Sequence, residues 1–214
     1  MDKYTQIKKN YNSGAEWHFQ KSFSYDWSKQ VNKFVKMLKG KLILDAGCGA
    51  PRDISLFLKH NLKIEGIDFS KEAIKKCRMS FPELKFYEGN FNKIPVQNEY
   101  YDGIWASASI LNTPKKELPV LLKEFLRTLK TGVILYAPEK EGKDEKIVKD
   151  QYGERLFSDY TEDEMKKIFK NASLNIKYSE TVTNESLTGT KSDKTNWVCI
   201  YGEKNYDLSK KTLR

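Results

Sequence analysis

Residues 41–53 read KLILDAGCGAPRD: an apolar run that ends in an acid, then two glycines with one residue between them. A short apolar segment stopped this abruptly is a buried strand, and the glycines let the backbone bend where side chains would block it. The rest of the chain repeats the theme. IEGID (64–68), LKFYEG (84–89), YDGIWAS (101–107) and GVILYAP (132–138) read as further strands. Helical segments fall between them: about 52–60, carrying Ile54, Leu56, Phe57 and Leu58; SKEAIKKC, capped by Ser70 with Glu72 in its first turn; and Lys116 to Leu129. This alternation predicts an α/β fold with a mostly parallel, doubly wound sheet, right-handed crossovers and both faces covered.

Both ends depart from the repeat. Residues about 2–12 and 20–39 are amphipathic. In the second segment Phe23, Trp27, Val31, Phe34, Val35 and Leu38 recur at helical steps, and Gly40 is placed as a C-cap. After the fifth strand, 139–160 is a polar connection, and Thr161 with Glu164 forms a capping box for a helix through about Asn171. Strand-like runs at 174–182 and 194–202, separated by NESLTGTKSDK, predict a hairpin on the sheet edge. EKNYDLSKKTLR closes the sequence as a polar tail. The organisation expected for 214 residues is one domain. It divides into an N-terminal helical lid (1–39), a core (40–202) and a tail (203–214).

Composition narrows the partners. No apolar run approaches the roughly 18 residues of a membrane span, and no signal region opens the chain, so no membrane partner and a cytoplasmic location are expected. Cys48, Cys77 and Cys199 lie far apart in no metal-ligand spacing, which predicts neither disulfide nor metal site. The net charge of +9 keeps a nucleic-acid partner open. Its lysines are scattered among glutamates, however, as on an ordinary solvated surface.

The glycine turn Gly47-Cys48-Gly49 falls where a doubly wound sheet binds ligands, at the carboxyl end of its first strand. A phosphate loop would need GxxxxGK[ST], which is absent, and a dinucleotide fingerprint would need a glycine where this chain has Arg52. Asp45, ahead of the glycines, repels a pyrophosphate and suits a cationic group. Asp68 ends the second strand nineteen residues past Gly49, where a carboxylate accepts both hydroxyls of a ribose. The implied ligand has a ribose, a cationic end and no diphosphate, and S-adenosylmethionine fits all three.

Over residues 40–202 the sequence resembles the class I S-adenosylmethionine-dependent methyltransferases of small-molecule type. The resemblance rests on LILDAGCG, IEGIDFS, EGNF (88–91), YYDGIWASASILN (100–112) and the helix followed by TGVILYAP. It implies a Rossmann-like, seven-stranded sheet with an antiparallel C-terminal hairpin strand, and S-adenosylmethionine as cofactor. It further implies Gly47, Cys48 and Gly49 under the methionine part, Asp45 near its ammonium and Asp68 on the ribose. Phe69 and Phe91 would lie by the adenine, Asn90 on its amine, and Ala106 and Ser107 at the methionyl end. Pro51 and Asn90 depart from the family pattern.

The acceptor is less legible, because the donor supplies the leaving group and the protein mainly aligns the reactants. Asn112-Thr113-Pro114 lacks the second proline and the aromatic of DNA amino-methylases, and no Pro-Cys occurs. A small-molecule acceptor is therefore expected. Tyr11 and His18 are the candidate catalytic groups in an aromatic N-terminal lid, His18 because histidine is the side chain whose ordinary pKa suits a general base at neutral pH. Trp17, Asn112 and Arg155 are candidate acceptor contacts, Arg155 for a carboxylate. RNA or protein is the alternative acceptor, and a cofactor-binding regulatory subunit the alternative to an enzyme.

Overall fold

The computed structural model describes residues 3–22, 25–49, 51–150, 153–189 and 194–205. Three helices open it: α1 (Lys3–Ser13), α2 (Ala15–Ser22) and α3 (Ser28–Met37). The single helix expected over 20–39 is thus divided. Asp26 turns the chain: its carboxylate accepts from the Ser28 N–H at 2.9 Å and its own N–H donates to the Thr188 carbonyl at 2.8 Å. Phe23 lies outside the described residues.

The alternating section follows as β1 (Leu42–Ala46), α4 (Arg52–Lys59), β2 (Lys63–Asp68), α5 (Lys71–Ser80), β3 (Lys85–Glu88), β4 (Tyr101–Trp105), a 3-10 turn at Ile110–Asn112, α6 (Leu118–Thr128) and β5 (Leu129–Lys140). Then come β6 (Glu145–Asp150), β7 (Gly153–Ser158), α7 (Glu162–Asn171), β8 (Leu174–Thr183), the short α8 (Asn184–Thr188) and β9 (Asn196–Lys204). Two predicted caps are present: the Ser70 hydroxyl accepts from the Ala73 N–H, and Thr161 and Glu164 bond reciprocally. Gly40 is not the C-cap expected of it, because α3 already ends at Met37 with Leu38 in the capping position.

The sheet has seven strands in the order β3-β2-β1-β4-β5-β9-β8, parallel except for β9, which runs antiparallel to both neighbours. Connections run one way from β1 and the other way from β4, so the switch point lies between those two strands, where such sheets bind ligands. Each face of the sheet carries an apolar layer. One holds Leu44, Ile104, Phe125 and Phe169; the other holds Phe34, Phe57, Trp105 and Tyr136.

Two segments correct the sequence reading. The polar connection of 139–160 is a hairpin, β6–β7, forming its own two-stranded sheet. Its KDEKIVKD strand leaves Ile147 56% exposed, so no buried face gave it an apolar period. The edge strand expected to end at 202 continues to Lys204, and residues 206–214 of the expected tail lie outside the described residues.

β5 carries an unusual group. Glu139 is fully buried, and neither carboxyl oxygen has a hydrogen-bond partner among the described residues. Burial, with the charge of Asp159 adding to it, pushes Glu139 well above the usual carboxylate range. An acid raised in the folded state leaves stability intact at low pH and erodes it as pH climbs through the folded value. Glu139→Gln is therefore expected to raise Tm more at pH 8 than at pH 5. Equal gains at both, in thermal melts, would refute a protonated Glu139.

Candidate active site

A cavity of about 340 Å³ opens at the carboxyl rim of β1, β2 and β4, within the size range of small-molecule sites. Its floor is the glycine turn. The N–H groups of Gly47 and Cys48 both donate to the Ile67 carbonyl, at 2.8 and 3.2 Å, tying the turn to β2. Gly47 has φ +86°. A methyl added to it would overlap the Ser109 side chain, so the turn and the loop after β4 touch only because residue 47 is glycine.

Asp68 is clamped beside this turn. Its Oδ2 accepts from the Gly49 N–H at 3.0 Å and its Oδ1 from the Ser70 N–H at 2.8 Å. Burial lifts its carboxyl to about 6, against the pull of those two N–H groups and the charge of Lys8. Asp45 is 4% exposed and accepts no hydrogen bond among the described residues. Burial first, then the neighbouring Asp53 charge, push it well above the usual range, while Arg52 opposes them.

Asp53 is the feature that the sequence reading missed. Arg52 Nε and Nη2 donate to its two oxygens at 2.5 and 2.7 Å, and the Trp105 indole N–H donates to Oδ2 at 2.9 Å. This end of the cavity therefore gathers three carboxylates against one guanidinium, which is itself spent on Asp53. A cationic ligand group would supply the partner Asp45 lacks. The residues present thus fit the ammonium end of S-adenosylmethionine, and they would oppose a diphosphate.

The N-terminal helices roof the cavity. Tyr11 meets Phe69 edge-on, ring centroids 5.4 Å apart. The Tyr11 hydroxyl donates to Asn112 Oδ1 and Asn112 Nδ2 donates to the Leu156 carbonyl, both at 2.5 Å. Asn10 Nδ2 donates to the Glu154 carbonyl at 2.7 Å. α1, the turn after β4 and β7 are thereby laced together over the opening. The Arg155 guanidinium lies 5.7 Å from the Tyr11 ring centre and 5.3 Å from that of Phe157.

Most of the residues singled out from sequence line this cavity. From the glycine turn and the acids come Asp45, Gly47, Cys48, Gly49 and Asp68; Phe69, Phe91 and Ser107 follow, and the roof adds Tyr11, Trp17, Asn112 and Arg155. Two do not. Asn90 is exposed and outside the cavity, and Ala106 is packed in the apolar layer of Leu44 and Ile104. Strand alternation explains Ala106: Trp105 and Ala106 face opposite sides of the sheet. His18 lies on α2, but its side chain lies outside the described residues. The cavity also recruits Ser109 and Phe157, which were not named as site residues, and Lys140 and Trp197, which no motif marked. Among the described residues no cluster of His, Cys, Asp or Glu could hold a metal ion, and no helix is long and apolar enough to cross a membrane.

A doubly wound sheet whose switch point carries a glycine turn and a clamped carboxylate belongs to the α/β proteins that bind ligands at the carboxyl ends of their strands. Residues 43–132 match the sequence model of the family described as "Methyltransferase domain". A demethylmenaquinone methyltransferase of Alkalihalophilus pseudofirmus is 33% identical over 116 residues, 50% of this chain and 48% of that protein. The chain thus spans about half the length of the curated relatives it matches. A methyltransferase structure from Methanosarcina mazei superposes with a TM-score of 0.70 at 22% identity, over 81% of this chain and 97% of that one. The 1,6-didemethyltoxoflavin-N1-methyltransferase of Burkholderia thailandensis gives 0.75 at 14% identity, over 95% and 89%. Residues 43–132 are thus similar to methyltransferase domains, and the fold is the one S-adenosylmethionine-dependent methyltransferase structures share.

Proposed function

We propose that this protein transfers the methyl group of S-adenosylmethionine to a small molecule held under the N-terminal helices. The observation that carries the reading is the roof. With α1 hydrogen-bonded across to β7 and to the turn after β4, the described residues roof a cavity of a size that suits a compact acceptor. The names of similar proteins agree with it: one methylates a demethylmenaquinone and another a toxoflavin precursor, both small molecules.

When bound, the cofactor supplies an electrophilic methyl, which the acceptor's lone pair takes as the carbon–sulfur electrons leave on sulfur. The chain's own part is to bind, orient and exclude water. Asp68 would hold the ribose hydroxyls, Asp45 the ammonium, and Gly47 and Gly49 would let the methionine part approach the backbone. Phe69 and Phe91 would flank the base. Tyr11 donates its hydroxyl proton to Asn112, which makes it a positioning group for the roof. A base is needed only if the acceptor arrives protonated, and His18 keeps that role as a proposal.

The test is a labelled-methyl assay on fractionated cell extract. Label is expected in the low-mass fraction. Label confined to RNA or protein would overturn the small-molecule reading in favour of the one to which the +9 charge speaks. Label nowhere, with cofactor binding intact, would favour a regulatory subunit.

A further inference from the structure

The charges on the cavity wall are sorted by strand. Its three acids, Asp45, Asp53 and Asp68, belong to β1, the first turn of α4 and β2. Arg52 among them is spent on Asp53. Of the other cations, Lys140 ends β5, beyond β4, and Arg155 sits on β7 of the separate two-stranded sheet, meeting Lys140 over the Phe157 ring. Neighbouring strands lie about 4.8 Å apart, so the three steps β2-β1-β4-β5 separate the two ends by roughly 14 Å. No acid among the described residues lines the β5 end.

That end is also aromatic. Lys140 Nζ lies 4.4 Å from the centre of the Phe157 ring, the ring that Arg155 approaches as well. Trp197, opposite Lys140 in the β5–β9 register, lines the same wall. Trp27 lines the cavity too, and its buried indole N–H has no hydrogen-bond partner among the described residues. A ring slotted beside Phe157 and Trp197 would gain stacking area, and an anionic substituent on it would meet a lysine and the planar fork of an arginine.

We propose that the methyl acceptor is a small aromatic carboxylate, its carboxylate at Lys140 and Arg155 and its ring beside Phe157 and Trp197. The inference rests on the methyltransferase reading and deepens it. It assigns the acidic end of the cavity to the cationic donor and the basic end to the acceptor. Lys140 and Arg155 act as positioning residues that turn the ring so that its nucleophilic atom faces the β4 rim.

Calorimetry on the full chain, saturated with S-adenosylhomocysteine, tests it with matched pairs: 4-hydroxybenzoate against 4-hydroxybenzamide, and indole-3-carboxylate against its carboxamide. At least one carboxylate is expected to bind tenfold or more tightly than its amide. The double variant Lys140→Gln, Arg155→Gln is expected to erase that ratio while S-adenosylhomocysteine affinity stays within twofold. Amides binding as well as acids, or no carboxylate binding, overturns the inference. So does a variant that loses S-adenosylhomocysteine together with the acid, since the two cations would then serve the cofactor. Failure of the unmodified protein to bind S-adenosylhomocysteine would instead sink the methyltransferase reading itself.

Discussion

Asp68→Asn is expected to weaken S-adenosylhomocysteine binding at least tenfold while leaving the unliganded fold about as stable as before. The two effects separate because Asp68 is a costly group in the empty protein. Burial lifts it to about 6 from an ordinary 3.8, and each unit is worth about 1.4 kcal/mol, so holding it ionised near neutrality costs roughly 3 kcal/mol. An acid raised in this way leaves stability whole below about pH 4 and erodes it as pH rises through 6. The amide removes that cost. In exchange its NH₂ faces one of the two backbone donors, Gly49 or Ser70, at about 1–3 kcal/mol. The terms nearly cancel, so Tm at pH 7 should move by only a few degrees. Binding has no such compensation, because hydrogen bonds from ribose hydroxyls to a carboxylate are worth about 1.5–3 kcal/mol each. The pH dependence gives a second check. Wild-type affinity should drop below about pH 6, and the substitution should lower the slope of that drop by about one unit. Unchanged affinity by calorimetry would show that the ribose lies elsewhere.

The parts of this fold that could be read from the sequence are those in which burial writes a period. β1, β2 and β4 are apolar runs because neighbours cover both faces, and α4 to α6 carry one apolar stripe each. β6 is charged and exposed, and β7 buries only its last residues, Leu156 to Ser158, so no alternating period marked either strand, and with them Arg155 and Phe157 went unread as part of a strand. Lys140 and Trp197 come together only because β9 is inserted antiparallel beside β5, a pairing between residues 57 positions apart that no local motif records. Asp53 was in plain view after Pro51. Its first-turn place suggests a dipole partner for α4, and only the folded chain brings the Trp105 indole and the Arg52 fork to it. Asn90 is a motif position carried over from the family, which the turn after β3 leaves exposed and outside the cavity lining.

Gly47→Ala tests the site from the backbone side and is expected to cost both stability and binding. At φ +86° an alanine carries the strain of a left-handed residue, about 1–2 kcal/mol. Its methyl would also overlap the Ser109 Cβ, and Ser109 cannot retreat freely because the preceding Ala108 already has φ +51°. Forcing a methyl into such a contact costs typically about 1–3 kcal/mol more. For a chain of this length the sum, about 2–5 kcal/mol, lowers Tm by roughly 5–15 °C. The loop that must move, residues 107–109, is the cavity wall itself, so S-adenosylhomocysteine affinity should fall at least tenfold as well. Gly49→Ala is the contrast that isolates the cause. Its φ of +24° carries backbone strain too, but the nearest atom to an added methyl, Asp68 Oδ2, is at an ordinary 3.6 Å, so only the steric overlap is missing. That variant should melt below wild type by the strain alone, roughly 2–8 °C, and above Gly47→Ala, and lose affinity because its methyl occupies ligand space. If Gly47→Ala melts no lower than Gly49→Ala, the contact between the glycine turn and the loop after β4 does not hold the two halves of the site together.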